Sequence, residues 1–450
     1  MQKKCFFLCA FRSFSYLYPP KWFNMKTTKL SFFLLAGLSF VFLSCEKEQF
    51  SKEAYDELVD FNFLVDNMDK EHDWCLTHSD TVTVISESKD IYALEVLTQN
   101  PYQSDAAEIA AEGVCSINEK NSGFQTTMSY TLPATQQTAY IAAKRQNGTY
   151  IGVVPFATGT EIVTIDIDAL QTGNLIKSPK PQTFTYLYEE GFPLPGDFDF
   201  NDMVLRVSKS VSGPSQIDLR VTLEAVGTSL PYAAAIQLYG VKYDDVEKVE
   251  ILEGAAMDQG YPLRRMMIES GKTLLKGRSG EAVINLFENG HYVMNQELND
   301  VGSVQTLVYN TTTTDREDYS ATAPSASRTY RVHFKNGRPA ADLTFDQIDP
   351  FLIHEYNSGL WEVHTYPYKF SETLKNIYRG KQHYYDNHVS WALVVPKADF
   401  RYPVEGMSLG TYNSELGESF GPYTSFADWV KDHTQNSDWY NHPTYPQLLY

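Results

Sequence analysis

The chain has 450 residues, with 37 Lys and Arg against 56 Asp and Glu and a formal net charge of −19. That length allows more than one hydrophobic core and excludes a miniature scaffold dependent on disulfides or metal for its fold. The acidic balance argues against nucleic acid as a partner, because phosphate binding needs a surplus of Lys and Arg.

The first legible element is a basic opening, Met25 to Lys29, followed by the 14 mostly apolar residues Leu30 to Leu43. This length suits the core of a signal peptide and falls short of the 18 or so residues of a membrane span. It ends at Leu43, Ser44, Cys45, which resembles the lipobox of lipoprotein precursors, with Phe42 where a smaller aliphatic residue is usual. The expected product begins at an acylated Cys45, which would hold the protein on the cell outer membrane or cell surface. Residues 1–24 precede a complete signal peptide and are expected to be a mis-called start; residues 25–44 are the signal peptide. Without residues 1–44 the chain keeps 406 residues, 31 basic against 56 acidic, a net charge of −25.

Residues 45–72 read as the acylated Cys and a charged tether. Short strands are then expected at Thr81–Ile85, Ile91–Leu97, Ala139–Ala143, Tyr150–Val154 and Ile162–Ile167, with an Asn147-Gly148 turn and one short helix at Asp105–Glu112. Together they predict an N-terminal β-sandwich-like domain over 73–174, with Trp74 in its core. Cys75 and Cys115 fall here. Export would permit a disulfide between them, worth about 4 kcal/mol in the chain-entropy model; two buried thiols are the alternative.

The segment Leu175–Thr183, with Pro179 and Pro181, reads as a linker. Beyond it, strands are expected at Ile217–Leu223, Ala233–Leu238, Val283–Phe287, Arg331–Phe334 and Trp391–Val395, with an Asn336-Gly337 turn, an exposed excursion at Asn310–Ser327 and a short helix at Phe426–Lys431. The fold class is therefore mainly β: two β-sandwich-like domains, the second larger, with long insertions and a short terminal helix.

Gly196, Asp197, Phe198, Asp199, Phe200, Asn201 and Asp202 carry the densest chemistry. Were the segment extended, Asp197, Asp199 and Asn201 would face one way and the two Phe rings the other. Asp197, Asp199, Asn201 and Asp202 offer the hard oxygen ligands of a calcium site. The spacing is not that of an EF-hand, because Asp202 replaces the turn Gly and Ser208 the bidentate Glu, so further ligands are needed, with Glu189 and Glu190 nearest. The competing reading is a tight turn in which these side chains cap backbone N–H groups.

With its approach Phe184–Glu190 and exit Met203–Val207, this segment resembles the "GDYDFNDLV" signature of the LruC-type domain, found in cell-envelope lipoproteins of Gram-negative bacteria and without established activity. Further matches are Asp349 to Leu352, Trp361 to His364, Ser390 to Pro396, the turn Phe400, Tyr402, Pro403, Glu405, and the aromatic ending Phe426, Trp429, Trp439 and Tyr440. The resemblance covers about 184–440 and departs from the family pattern at Ser358 and Gly359, and at Tyr366 and Tyr368.

Other motifs lead nowhere catalytic. Gly417 to Gly421 spells G-x-S-x-G, but the flanks read as loop and too little chain follows for a triad. His354-Glu355 is not H-E-x-x-H, since Ser358 stands fifth. His364, His383 and His388 are read as ordinary hydrogen-bonded residues, and the late aromatic residues as core. The expected function is non-catalytic binding or structure, possible adhesion included, with a glycan or protein as partner besides the membrane. An envelope glycan hydrolase and a purely architectural surface protein are the rivals.

Overall fold

In the computed structural model the described residues are 68–69 and 71–450, apart from 115–122, 193–195, 255–271, 297–303, 336–338, 357–358, 366–372, 374–389 and 414–415. Cys45, Cys115, His383, His388 and the Asn336-Gly337 turn lie outside them, as do the signal peptide and all but the last residues of the tether.

The first strands are β1 (Thr77–Ser86), β2 (Ala93–Leu97), β3 (Glu108–Val114), β4 (Phe124–Pro133), β5 (Thr138–Lys144), β6 (Tyr150–Ala157), β7 (Ile162–Ile165) and β8 (Lys180–Pro181). They form two sheets, in the orders β4-β1-β7 and β6-β5-β2-β3-β8. Alternation explains the core: Val82 and Val84 of β1 are buried between the exposed or half-buried Thr81, Thr83 and Ile85, and they meet Leu94, Val96, Met128, Tyr130 and Ile141. The expected helix at Asp105–Glu112 is instead the edge of strand β3, which pairs antiparallel with β2 and parallel with β8. Two waiting partners outweigh the helix propensity of Ala and Glu.

A second set follows: β9 (Thr183–Tyr188), β10 (Met203–Gly213), β11 (Gln216–Ala225), β12 (Tyr232–Lys242), β13 (Val246–Gly254), β14 (Leu274–Lys276) and β15 (Glu281–Phe287). After helix α1 (Gly290–Asn295) come β16 (Val308–Tyr309), β17 (Ser320–Ala321), β18 (Ala326–Phe334), β19 (Ile348–Tyr356), β20 (Gly359–His364) and β21 (Ala392–Val395). The chain closes with β22 (Thr411–Asn413), β23 (Glu418–Phe420) and helix α2 (Thr424–Lys431). A six-stranded sheet, β13-β18-β11-β10-β9-β21, faces a five-stranded one, β14-β15-β12-β19-β20. Ile217, Leu219, Val221 and Leu223 of the first meet Ile236, Leu238, Ile284 and Leu352 of the second in one large core. The fold is mainly β, as its alternation predicts. Ser419 sits in the two-stranded β22–β23 ribbon, not on a strand-to-helix elbow.

Trp74 is buried, but in this larger core rather than among the strands that follow it. Its ring meets Trp429 of α2 edge-on at 5.6 Å, and His72, whose Nε2 is 3.0 Å from Trp429 O, sits between them. The aromatic ending is interior too: Trp429, Trp439, Phe426, Tyr423 and Phe400 pack ring against ring. Trp429→Ala should therefore cost about 3–5 kcal/mol in a urea unfolding experiment; a loss below about 1 kcal/mol would mean that the residue-72 segment and α2 do not share a core.

Candidate metal centre

Strands β9 and β10 pair antiparallel from Met203 opposite Tyr188 to Ser208 opposite Thr183, so residues 189–202 form their connection. Its part at 196–202 is not extended. Phe198 and Phe200 adopt left-handed backbone with φ of 58° and 55°, a conformation that costs a bulky L-residue on the order of 1 kcal/mol or more. The expectation of a flat segment with alternating faces is thus replaced by a coiled loop. Both rings are nevertheless buried, and Phe200 meets Phe426 of α2 edge-on at 6.4 Å.

The pegs hold carboxylates in place. Glu189, at the end of β9, is fully buried, and its Oε1 accepts the Phe200 N–H at 2.6 Å. Asp199 Oδ1 accepts the Asn201 N–H at 3.0 Å, and its Oδ2 accepts the Gly406 N–H at 2.7 Å. Asp197 reaches the same point from the solvent side. One oxygen each from Glu189, Asp197 and Asp199 lie within 4.8 Å of one another.

Of the four ligands expected from the sequence, the structure gathers Asp197 and Asp199 with Glu189 and turns the other two elsewhere. Asn201 Nδ2 donates to Pro403 O at 3.1 Å, and Asp202 Oδ2 accepts the Glu190 N–H at 2.8 Å. Glu190 Oε1 accepts from Thr228 Oγ1 at 2.9 Å. Glu405 joins the rim, its Oε2 accepting from Thr311 Oγ1 at 3.1 Å. Sequence reasoning placed Glu405 in a turn without seeing it as a member of this cluster, because more than 200 residues separate it from Asp199; its position as the one acid of the Phe400–Glu405 turn was the available signal.

Electrostatically the cluster is one-sided. Burial pushes Glu189 and Asp199 well above the usual carboxylate range, and repulsion from Asp197 adds to both. Asp202 is raised by burial and then by Glu190, and Asp197 by the same two causes. Glu405 is pushed up to about 8 by burial and by Asp197. The strongest charges felt by each of these groups are other carboxylates.

Two buried oxygens of this loop have no hydrogen-bond partner among the described residues: Glu189 Oε2 and Asn201 Oδ1. Each looks onto a glycine. A Cβ at Gly196 would lie 1.9 Å from Glu189 Oε2, and one at Gly227 would lie 1.7 Å from Asn201 Oδ1 and 2.7 Å from Asn201 O. An unpaired buried carboxylate oxygen costs several kcal/mol unless a cation or proton meets it. The donor set, all hard oxygen, fits calcium rather than a softer metal.

A second buried network lies on β19 and β20. His364 Nδ1 is 2.6 Å from Asp349 Oδ2 and its Nε2 3.0 Å from Glu362 Oε2, with the ring stacked on Phe351 at 4.5 Å. Thr365 Oγ1 donates to Asp349, and the Thr373 N–H to Glu362. Burial lowers the His364 pKa, but the two carboxylates outweigh it and raise it to about 9. Both ring nitrogens are thus committed to carboxylates, and His364 offers no lone pair to a metal. Cys75 is half-buried, with its N–H donating to Asp73 Oδ1 at 3.0 Å.

Residues 215–440, half of the chain, match a family described as a domain of unknown function, DUF4842. The match begins at the β10–β11 turn, so it includes Gly227 and Glu405 but not the loop 189–202. A crystal structure of a "putative lipoprotein" from Bacteroides ovatus is similar in fold at 15% identity and a TM-score of 0.45, over 81% of this chain and 99% of that one. No curated protein matches the sequence.

Two outcomes are expected. Gly227→Ala should cost about 1–3 kcal/mol in chemical denaturation, because the new methyl collides with Asn201. The His364 ion pairs should stabilise the fold fully below about pH 6.5 and lose that effect as pH rises through about 9. His364→Ala should then cost about 3–5 kcal/mol at pH 6, and much less at pH 10 in the same urea titration.

Proposed function

This chain belongs to the DUF4842 family, and from that premise we propose that it is a lipid-anchored protein of the outer membrane or cell surface, non-catalytic, whose LruC-type domain carries a calcium ion at the loop 189–202. The carrying observation is the unpaired, fully buried Glu189 Oε2 beside Asp197 and Asp199. The signal-peptide pattern ending at Cys45 supports the anchor, and the tether after it would lift an N-terminal and a larger β domain off the membrane. Among the described residues no helix is long and apolar enough to span a bilayer.

A binding or structural role fits the geometry better than hydrolysis. Glycosidase carboxylates flank an open substrate, whereas Glu189 and Asp199 are enclosed and capped by backbone N–H groups. A cavity of about 450 Å³, roomy enough for a sugar, lies instead beside Tyr102 and Tyr150, and its one carboxylate, Glu95, is tied to Lys144 at 2.6 Å and to Tyr150 OH at 2.5 Å. That aromatic-walled cavity is where a glycan partner would be sought.

Thermal unfolding of the mature protein tests the metal. At roughly 100 times its dissociation constant, calcium should add about 2.7 kcal/mol and raise the midpoint by about 3–4 °C over chelator; Asp199→Ala should abolish that difference. An equal midpoint in calcium and chelator would leave the loop a hydrogen-bonded turn. For the anchor, labelling with a fatty-acid analogue should mark the native chain and not Cys45→Ser.

A further inference from the structure

The loop 189–202 is bound to the C-terminal part of the chain through Phe198, Asp199 and Asn201. Asp199 accepts the Gly406 N–H, Asn201 donates to Pro403 O, and Phe198 O accepts the Leu409 N–H at 2.9 Å. Between these anchors stands Glu405, whose N–H donates to Thr311 O at 2.8 Å and whose Oε2 accepts from Thr311 Oγ1.

These contacts place a fourth carboxylate, from a distant part of the sequence, close enough to feel Asp197 and Asp199 of a three-carboxylate group in which Glu189 Oε2 has no hydrogen-bond partner among the described residues. A calcium ion takes six to eight oxygens. Glu189, Asp197 and Asp199 supply too few, and they all come from one connection. We propose that Glu405 completes the site, so that calcium latches residues 403–409 onto the loop 189–202 and calcium outside the cell sets how firmly the C-terminal segment is held. This inference rests on the calcium reading above.

The physical logic is local. Without a cation the acids of the two segments either repel one another or must take up protons, and the Gly406 and Leu409 N–H bonds and the Asn201 bond to Pro403 O hold the segments together at this point. With calcium, opening the segment means releasing a ligand from the ion. Only states in which Glu405 stays on the rim keep full affinity, so calcium suppresses the opening in proportion to its excess over the dissociation constant.

Hydrogen exchange on the mature protein, in chelator and in calcium at about 100 times the dissociation constant found by calorimetry, reads this directly. Peptides covering 196–202 and 403–409 should slow together, by up to about 100-fold, while the β1–β4 pair is unchanged. Slowing confined to 196–202, or spread evenly over the whole protein, would overturn the latch and leave the calcium site standing. No calorimetric signal and no change in exchange would overturn both.

Two amide variants give the ligand test. Glu405→Gln should weaken calcium binding by roughly tenfold, since one charged ligand is lost, and uncouple 403–409 from calcium in the exchange experiment; unchanged affinity would overturn its role. Glu189→Gln should raise the thermal midpoint in chelator, by relieving repulsion, and lower it in calcium. A carboxylate that only capped a turn would not reverse sign with the ion, and this second variant decides the matter if the first does not fold.

Discussion

The arrangement of this protein around its larger core depends on anchoring like charges by apolar pegs. Carboxylates at positions 189, 197, 199 and 405 gather where burial and mutual repulsion raise their pKa values. Left to electrostatics, that corner would open. It is held by Phe198 and Phe200, whose burial contributes roughly 2–3 kcal/mol each, and their left-handed backbone is what allows two aromatic residues separated by one position to reach the core while Asp199 between them turns back toward the cluster. The strain at the pegs and the repulsion at the acids are thus parts of one device.

That device explains why the aromatic ending lies inside the protein. Phe200 meets Phe426, which packs on Trp429 and Trp439, and the helix that carries Phe426 and Trp429 also receives Trp74 and His72 from the residues just before the first strand. The start and end of the described chain therefore meet in one aromatic cluster beneath the acid-rich loop. The smaller core, between β1 and its neighbours, is separate in its side chains but touches this body through Val211 N–H to Glu112 at 2.6 Å and Phe345 N–H to Thr131 at 3.1 Å.

Period-two alternation was enough to find β11, β12, β15 and β18, where every second residue is buried or where a continuous apolar run is covered on both faces. It failed at β3, whose Ala-rich run has no strong period and becomes a strand only because β2 and β8 flank it. It also failed to place Trp74, since nothing in the sequence tells a residue at a domain edge which core it will join. Composition marked the acid loop at once, but not its shape. The left-handed pegs, the turn of Asn201 and Asp202 away from the cluster, and the arrival of Glu405 are all set by contacts across the sheet end.

The two glycines show how far the cluster is specified by packing rather than by charge. Neither Gly196 nor Gly227 requires a left-handed backbone; each is small because a buried oxygen occupies the space a side chain would take. If the loop were only a capped turn, the cheapest arrangement would rotate Glu189 Oε2 and Asn201 Oδ1 toward donors, and the space at the glycines would have no purpose. Instead Glu189 uses Oε1 on the Phe200 N–H and leaves Oε2 without a hydrogen bond among the described residues, while one of its oxygens lies within 4.8 Å of oxygens of Asp197 and Asp199. A carboxylate held with one oxygen committed and one uncommitted, among others of its own charge, is oriented as a ligand is oriented, and the proton that would otherwise neutralise it is the competitor that a hard divalent cation displaces.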